Sequence, residues 1–598
     1  MTDGQAQGNS GGTMIKNKRV NPGHYQIRSN KSFRAELSKY QDAGFLPPFR
    51  KDVGPVPFSL PFDWHADPMQ DRNWMFQLHA WRNLDAYFTA IHHRDGADHA
   101  LDRVIAIISD WHRGNVADGL GDWTWYDMST GIRASKLAFL AQEMSDLGRD
   151  ICDYLFIDEL VTLHFENLLD PRKLNPGNHG LFQIWGLKSL AAAFADHQLS
   201  ALAEDYAIRK MSELVSRQLG EYGVHTENSP AYHFFGMARI RDILKAPEWD
   251  IPQLNFINEK LDAGEKVKPW LLDPAGRMIC VGDTSPSIVD RSKLPQLKAW
   301  PHDTKGGVLG AVLDGYAVVR SCPNTPPDRS SLLFLTASFQ TPTHKHSDCL
   351  SFVWQENGED ILVDSGKYGY SKDPFRSYFL STHAHNTVEF NGKSARRKAE
   401  DAYGSGIHAV ERRADGWFID AEAPHPANGY THRRSVIFRP GREVIVFDHV
   451  RPSKLRKLVE NNYTLWWHFP PGIQVTANGA QASVSGFNSL EGLEMRHYST
   501  DGRSVAQICR GETGERYQGW ISTSYLEAES APVVGYTARQ MGAYVAVTVL
   551  RIAMPQEPTD DSRVRNALLT EIAQLDWAEE PLAALRKACM PTDRSRPS

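Results

Sequence analysis

The feature that most constrains this chain is a change of rhythm near residue 305. From about residue 30 to 300, apolar residues recur at steps of three and four. Trp74, Leu78, Trp81, Leu84, Phe88 and Ile91 make one such stripe, and Leu101, Val104, Ile105, Ile108 and Trp111 make another. That spacing predicts helices with one buried face. Further helices are expected over 133–147, 151–168, 181–195, 201–219 and 231–244, joined by short Gly, Pro, Asn and Asp breaks. Successive helices on short links lie antiparallel. Such hairpins build a bundle, a solenoid or a closed ring, and periodicity does not choose among them. After about 305 the apolar residues come in short β-branched and aromatic runs, such as 316–319, 332–339, 417–421, 435–438, 444–447, 463–469 and 544–550. Turn residues such as Asn391–Gly392 and Asn478–Gly479 separate them, as in antiparallel sheets or a β-sandwich. The expected organisation is a flexible tail over 1–30, a helical domain over 31–305, an antiparallel sheet domain over 306–558 and an extension over 559–598.

Composition removes several classes of function. A net charge of −6 over 598 residues weighs against a partner held by diffuse positive charge, nucleic acid included. The six cysteines contain no CxxC pair, so neither a disulfide framework nor a cysteine zinc site is expected. No run of about 18 apolar residues is present, hence no membrane span. The first twenty residues lack the apolar centre of an export signal. The expected location is therefore cytoplasmic, or periplasmic if a signal was removed. Walker-type and HExxH motifs are absent, and no GxSxG elbow joins a strand to a helix.

Four polar clusters stand out. The densest is Thr343–His344–Lys345–His346–Ser347–Asp348, followed by Asp364 and then His383–Ala384–His385–Asn386. If 343–348 is extended, His344 and His346 share a face. Imidazoles combined with a carboxylate suit a divalent metal, zinc above all. The second cluster, Asn175–Pro176–Gly177–Asn178–His179, precedes an apolar helix. Asn178 or His179 caps that helix, or gathers donors that hold a carboxylate. In the third, Ser229–Pro230 opens a helix with Tyr232 in its first turn. The fourth, Trp123–Thr124–Trp125–Tyr126 with Arg133, fits sugar stacking and carboxylate pairing, or equally core packing.

Taken in order, WYDMSTGIR (125–133), NHG (178–180), ENSPAYH (227–233), THKHSD (343–348), LVDSG (362–366) and AHNTV (384–388) resemble the heparinase II/III family of polysaccharide lyases. The resemblance implies an incomplete (α/α) toroid followed by an antiparallel β-sandwich, and cleavage of uronate-containing polysaccharides by β-elimination. It implies that Asn178, helped by His179, neutralises the uronate carboxylate. Tyr232 is then the acid, and in one stereochemical case also the base. His344 is the base when the C5 proton lies on the other ring face. His346, Asp364 and His385 would hold a structural zinc beside the site, with His383 the alternative third ligand. Tyr368, Tyr370 and Arg376 would line the substrate groove, and Arg133 would pair with an acidic group of the sugar chain. The expected partner is an acidic polysaccharide or oligosaccharide. Two other readings stay open at this point: a noncatalytic protein that binds or assembles acidic glycans, and a hydrolase using two carboxylates.

Overall fold

The computed structural model describes residues 32–47, 53–119, 121–295, 307–370, 372–502, 504–553 and 561–590. The expected N-terminal tail, the boundary at 305–306 and residues 559–560 and 591–598 of the expected extension lie outside these. The chain forms two compact units, one of residues 1–218 and 238–260, the other of 219–237 and 261–598. The change from helix to strand falls between the helical turn Arg291–Lys293 and the strand Val308–Leu313. Compactness divides elsewhere, because 219–237 and 261–295 pack with the sheets.

The first unit is helical, and its helices match the periodic stretches: Ala97–His112, Asp127–Asp146, Leu155–Leu169, Asn178–Ala193 and Ser200–Gln218. The stripe from Trp74 to Ile91 is the exception. It breaks into Arg72–His79 and Asp85–His92, with Trp81 between them in the left-handed region at φ 56°. The carbonyls freed by the break are taken by buried cations of the helix Asp127–Asp146. Arg133 donates to His79 O at 2.6 Å, and Lys136 Nζ to Ala80 O at 3.2 Å and Trp81 O at 2.7 Å. Periodicity reports which face is buried and cannot register a neighbour competing for carbonyls.

Helices Asp127–Asp146 and Asn178–Ala193 are buried almost all round and meet backbone to backbone. A Cβ on Gly131 would lie 2.2 Å from Phe182 O, and one on Gly186 2.1 Å from Gly131 O. Only glycine allows that approach. Gly186→Ala is expected to lower stability by about 1–3 kcal/mol through forced separation of the helices. Urea midpoints check this, and an unchanged midpoint would mean that the helices have room to spare.

The second unit holds a five-stranded, an eight-stranded and a four-stranded sheet, all antiparallel, with two short ribbons. Successive residues of a strand face opposite sides. In Tyr316–Ser321, Ala317 and Val319 enter the main core shared by the large sheets, whereas Tyr316 and Val318 pack on Val224, Val267, Trp270, Ile279 and Val281. In Glu443–Pro452, Val444 and Val446 face the main core, and Ile445 and Phe447 lie under the helices Asp561–Ile572 and Glu579–Cys589. Strands covered on both faces read as near-continuous apolar runs, which is why the segments were legible and their partners were not. The terminal extension is thus a cover for the eight-stranded sheet. Among the described residues no helix is long and apolar enough to cross a membrane.

Glu356 ends a strand of the five-stranded sheet and is buried. Its carboxyl accepts from Ser331 Oγ and from Trp354 Nε1 at 2.9 Å. Burial nevertheless pushes its pKa up to about 7. A carboxyl raised on folding contributes stability in full below its ordinary value near 4.5, and loses it as pH rises through 7. The wild type is therefore expected to lose up to a few kcal/mol relative to Glu356→Gln between pH 5 and pH 8. Paired urea titrations at the two pH values read this, and parallel curves would refute it.

Candidate active site

Tyr232 and His344 meet within the second unit, where three segments cross. Ser229 Oγ is 3.4 Å from Tyr232 N at the head of the helix Pro230–Leu244, and 2.7 Å from Thr284 Oγ1. Asn228, at φ 54°, donates its amide to Thr341 O at 2.7 Å and Thr343 O at 3.2 Å, and accepts from Gln340 N at 3.0 Å. A Cβ on Gly282, itself at φ 54°, would stand 2.4 Å from Asn228 O and 2.9 Å from His344 O. Tyr232, Asp283 and His344 are thereby fixed by backbone contacts that do not depend on their own side chains.

The segment 343–348 is not extended, so His344 and His346 do not share a strand face. It is a turn, with His344 left-handed at φ 55°. This resolves how two histidines two residues apart separate their surroundings. The imidazole of His344 stacks on the Tyr232 ring, centroids 3.4 Å apart. The phenols of Tyr232 and Tyr370 are 2.8 Å apart. Burial, only partly offset by the hydrogen bond from Tyr370, pushes the Tyr232 phenol up to about 12. Burial and the adjoining Tyr232 push Tyr370 further in the same direction. Both phenols are therefore proton-bearing near neutrality.

Asp283 is central to the cluster and carried no sequence signal. It lies 61 residues before His344, in a plain Val-Gly-Asp-Thr stretch. Its Oδ2 is 2.8 Å from His344 Nδ1 and its Oδ1 is 2.9 Å from His346 Nε2. Arg376 forks onto the same carboxylate at 2.7 and 3.1 Å. Burial opposes the charge of Asp283, but the hydrogen bonds from His344, His346 and Arg376 hold its carboxyl far below the usual carboxylate range. Glu227 Oε2 lies 3.6 Å from His344 Nε2.

His346, Asp364 and His385 are buried together, each with one donor atom within 4.8 Å of the others. His346 Nδ1 and His385 Nε2 are buried without a hydrogen-bond partner. Asp364 accepts from His385 Nδ1 at 2.8 Å. An orphaned buried imidazole nitrogen is costly unless something binds its lone pair, so these residues fit a metal ion. His383 turns away from the triad, to Glu389 at 3.4 Å and Ser381 at 3.3 Å. Asp348 is taken by a buried ion pair with Lys345.

Three expected substrate contacts need correction. Arg133 is fully buried among Trp81, Trp111 and Trp125, and its guanidinium donates to His79 O, Thr124 O and His164. Burial draws it down to about 9, and its 0% exposure keeps it out of reach of a sugar. The Tyr368 ring packs against Phe375 and Phe379 in a separate aromatic cluster. Arg376 is spent on Asp283 and on Lys367 O, 2.8 Å away. Tyr370 is 47% exposed, with its hydroxyl against that of Tyr232. Two further cations lie nearby. Lys367 Nζ is 5.2 Å from the Tyr370 ring centroid, and Arg397 donates to Lys345 O at 2.7 Å. Arg397 belongs to the basic run 396–398, a kind usually solvated, in which Arg396 alone has an ion pair among the described residues, with Asp401 and Glu400.

Asn178 and His179 begin a helix of the first unit. Neither caps it: Gly177 is the cap residue, and Asn175 Oδ1 accepts from Gly177 N at 2.8 Å. His179 Nδ1 lies 3.1 Å from Asp127, which also accepts from Asn175 Nδ2 at 2.8 Å.

Two family profiles match the chain, "Heparinase II/III N-terminus" over residues 15–259 and "Heparinase II/III-like, C-terminal" over 311–543. Among solved structures, heparinase III aligns over 90% of this chain and 86% of its own, with a TM-score of 0.67 and 16% identity. Heparan sulfate lyase HepC from Pedobacter heparinus aligns over 90% and 85%, with a TM-score of 0.60 and 16% identity. No curated relative matches significantly by sequence. The fold is accordingly the helical toroid with antiparallel β-sandwich of those enzymes. With matched profiles across most of both halves, the chain belongs to the heparinase II/III family of polysaccharide lyases.

Proposed function

We propose that this lyase cleaves uronate-containing polysaccharide by β-elimination, with Tyr232 and His344 as proton carriers. The observation that carries the reading is the stack of a proton-bearing phenol on an imidazole, within one cluster that also holds a second phenol. The C5 proton of a uronate passes to a base, and its electron pair moves into a developing enolate. The enolate collapses to a C4–C5 double bond as the C4–oxygen bond breaks, and the departing oxygen needs a proton. Tyr232 gives that proton. His344 takes the C5 proton from one ring face, and Tyr232 serves both steps when that proton lies on its own face.

The enolate needs its carboxylate neutralised. This role goes to Asn178, helped by His179, on the strength of the family motif. Lys367 and Arg397 support an anionic sugar, since both are half-buried cations without an ion pair among the described residues, one against the Tyr370 ring and the other on the carbonyl of Lys345, the residue after His344. The triad His346, Asp364 and His385 would hold zinc, the ion such a donor set favours. When bound, it would tether the turn that carries His344 and take no part in the proton transfers. Hydrolysis by paired carboxylates is disfavoured at this centre, because Asp283 has both oxygens occupied.

The test is incubation with a panel of glycosaminoglycans and alginate, following the ultraviolet absorbance of unsaturated uronate. Absorbance rising with new chain ends is expected. New reducing ends without absorbance would mean hydrolysis, and binding without either would mean a noncatalytic role.

A further inference from the structure

We propose that Asp283 is a positioning residue that sets the tautomers of His344 and His346 in opposite senses, leaving one imidazole free as a base and the other free for a metal. The bidentate pair with Arg376 keeps Asp283 ionised, and an ionised carboxylate only accepts hydrogen bonds. His344 therefore donates from Nδ1 to Oδ2, and His346 from Nε2 to Oδ1. The two Arg376 donors fill the remaining acceptor positions, two contacts on each oxygen. What is left on His344 is the lone pair of Nε2. Glu227, at 3.6 Å, is too far to hydrogen-bond it. What is left on His346 is the lone pair of Nδ1, buried and unpartnered. One carboxylate, 1% exposed, thus joins the proton-transfer site to the metal triad.

The inference rests on the lyase reading only for its activity arm. The first test needs no substrate: the ¹⁵N spectrum of histidine-labelled protein, with the His344 signals identified by their loss in His344→Gln. Nδ1–H with a bare Nε2 is expected, and the opposite tautomer overturns the proposal. In Asp283→Asn an amide donor must face one of its four donors, so a fixed tautomer is lost. The expected result is a fall in kcat of about 10²-fold or more with KM within a few-fold, and metal affinity, measured by chelator competition, lower by about 10-fold or more. Asp283→Ala with added formate should recover part of kcat, which a general loss of structure would not allow. An Asp283→Asn protein with wild-type kcat and wild-type metal affinity overturns the role. Absence of turnover on every glycan would remove the lyase reading and leave the spectroscopic result standing.

Discussion

Tyr232→Phe is expected to lower kcat/KM on the cleaved glycan by about 10²–10⁴-fold, the usual contribution of one general acid. The substitution deletes one hydroxyl and keeps the ring, so the stack on His344 at 3.4 Å persists. The helix start is untouched, because it rests on Ser229, Pro230 and Thr284. The lost group is a phenol that burial pushes up to about 12. It holds its proton throughout the neutral range, as an acid for the departing oxygen must. Initial rates of unsaturated product, beside circular dichroism spectra of both proteins, separate lost chemistry from lost structure. An undiminished rate would move the acid to another group, with Tyr370 the first to examine, since its hydroxyl is 2.8 Å away.

The second large effect is expected from His346→Ala. It removes one member of the buried triad and also one of the hydrogen bonds that orient Asp283. A metal bound by the folded protein alone adds its binding free energy to stability. The variant should therefore lose one metal equivalent by elemental analysis and several kcal/mol of stability by urea titration. Its kcat should fall by about 10-fold or more, because the turn carrying His344 loses its tether. Chelation of the wild type should reproduce the loss, and added zinc should reverse it. Equal metal content in the two proteins would assign the triad to hydrogen bonding alone.

How much of this was legible in the sequence differs by residue. Tyr232 was legible because its surroundings are local: Ser229 and Pro230 open the helix and put the phenol in its first turn. The triad of His346, Asp364 and His385 was legible through the family motifs, since residue type alone left a surface histidine pair with no role as an alternative. His385 over His383 followed the family motif, and the structure sends His383 to Glu389. Asp283 was not legible, because an aspartate after glycine is among the commonest turn pairs and its partners lie 61, 63 and 93 residues away. Arg133 misled for a related reason. Arginine beside tryptophan is the composition of a sugar site and of a buried cation, and only the backbone carbonyls around it separate the two.

The sequence by itself determined where the helical half ends, which residues are apolar inside each element, and which family motifs occur in which order. These are properties of neighbours along the chain, and hydrophobic periodicity and short motifs record them. Tertiary structure alone decided that Trp81 would interrupt its helix, that residues 219–237 would join the sheets, and that Asp283 would bridge His344 and His346. Each depends on a polar group competing for partners distant in sequence. Such a competition is settled by burial and hydrogen-bond geometry, which exist only once the chain has closed on itself.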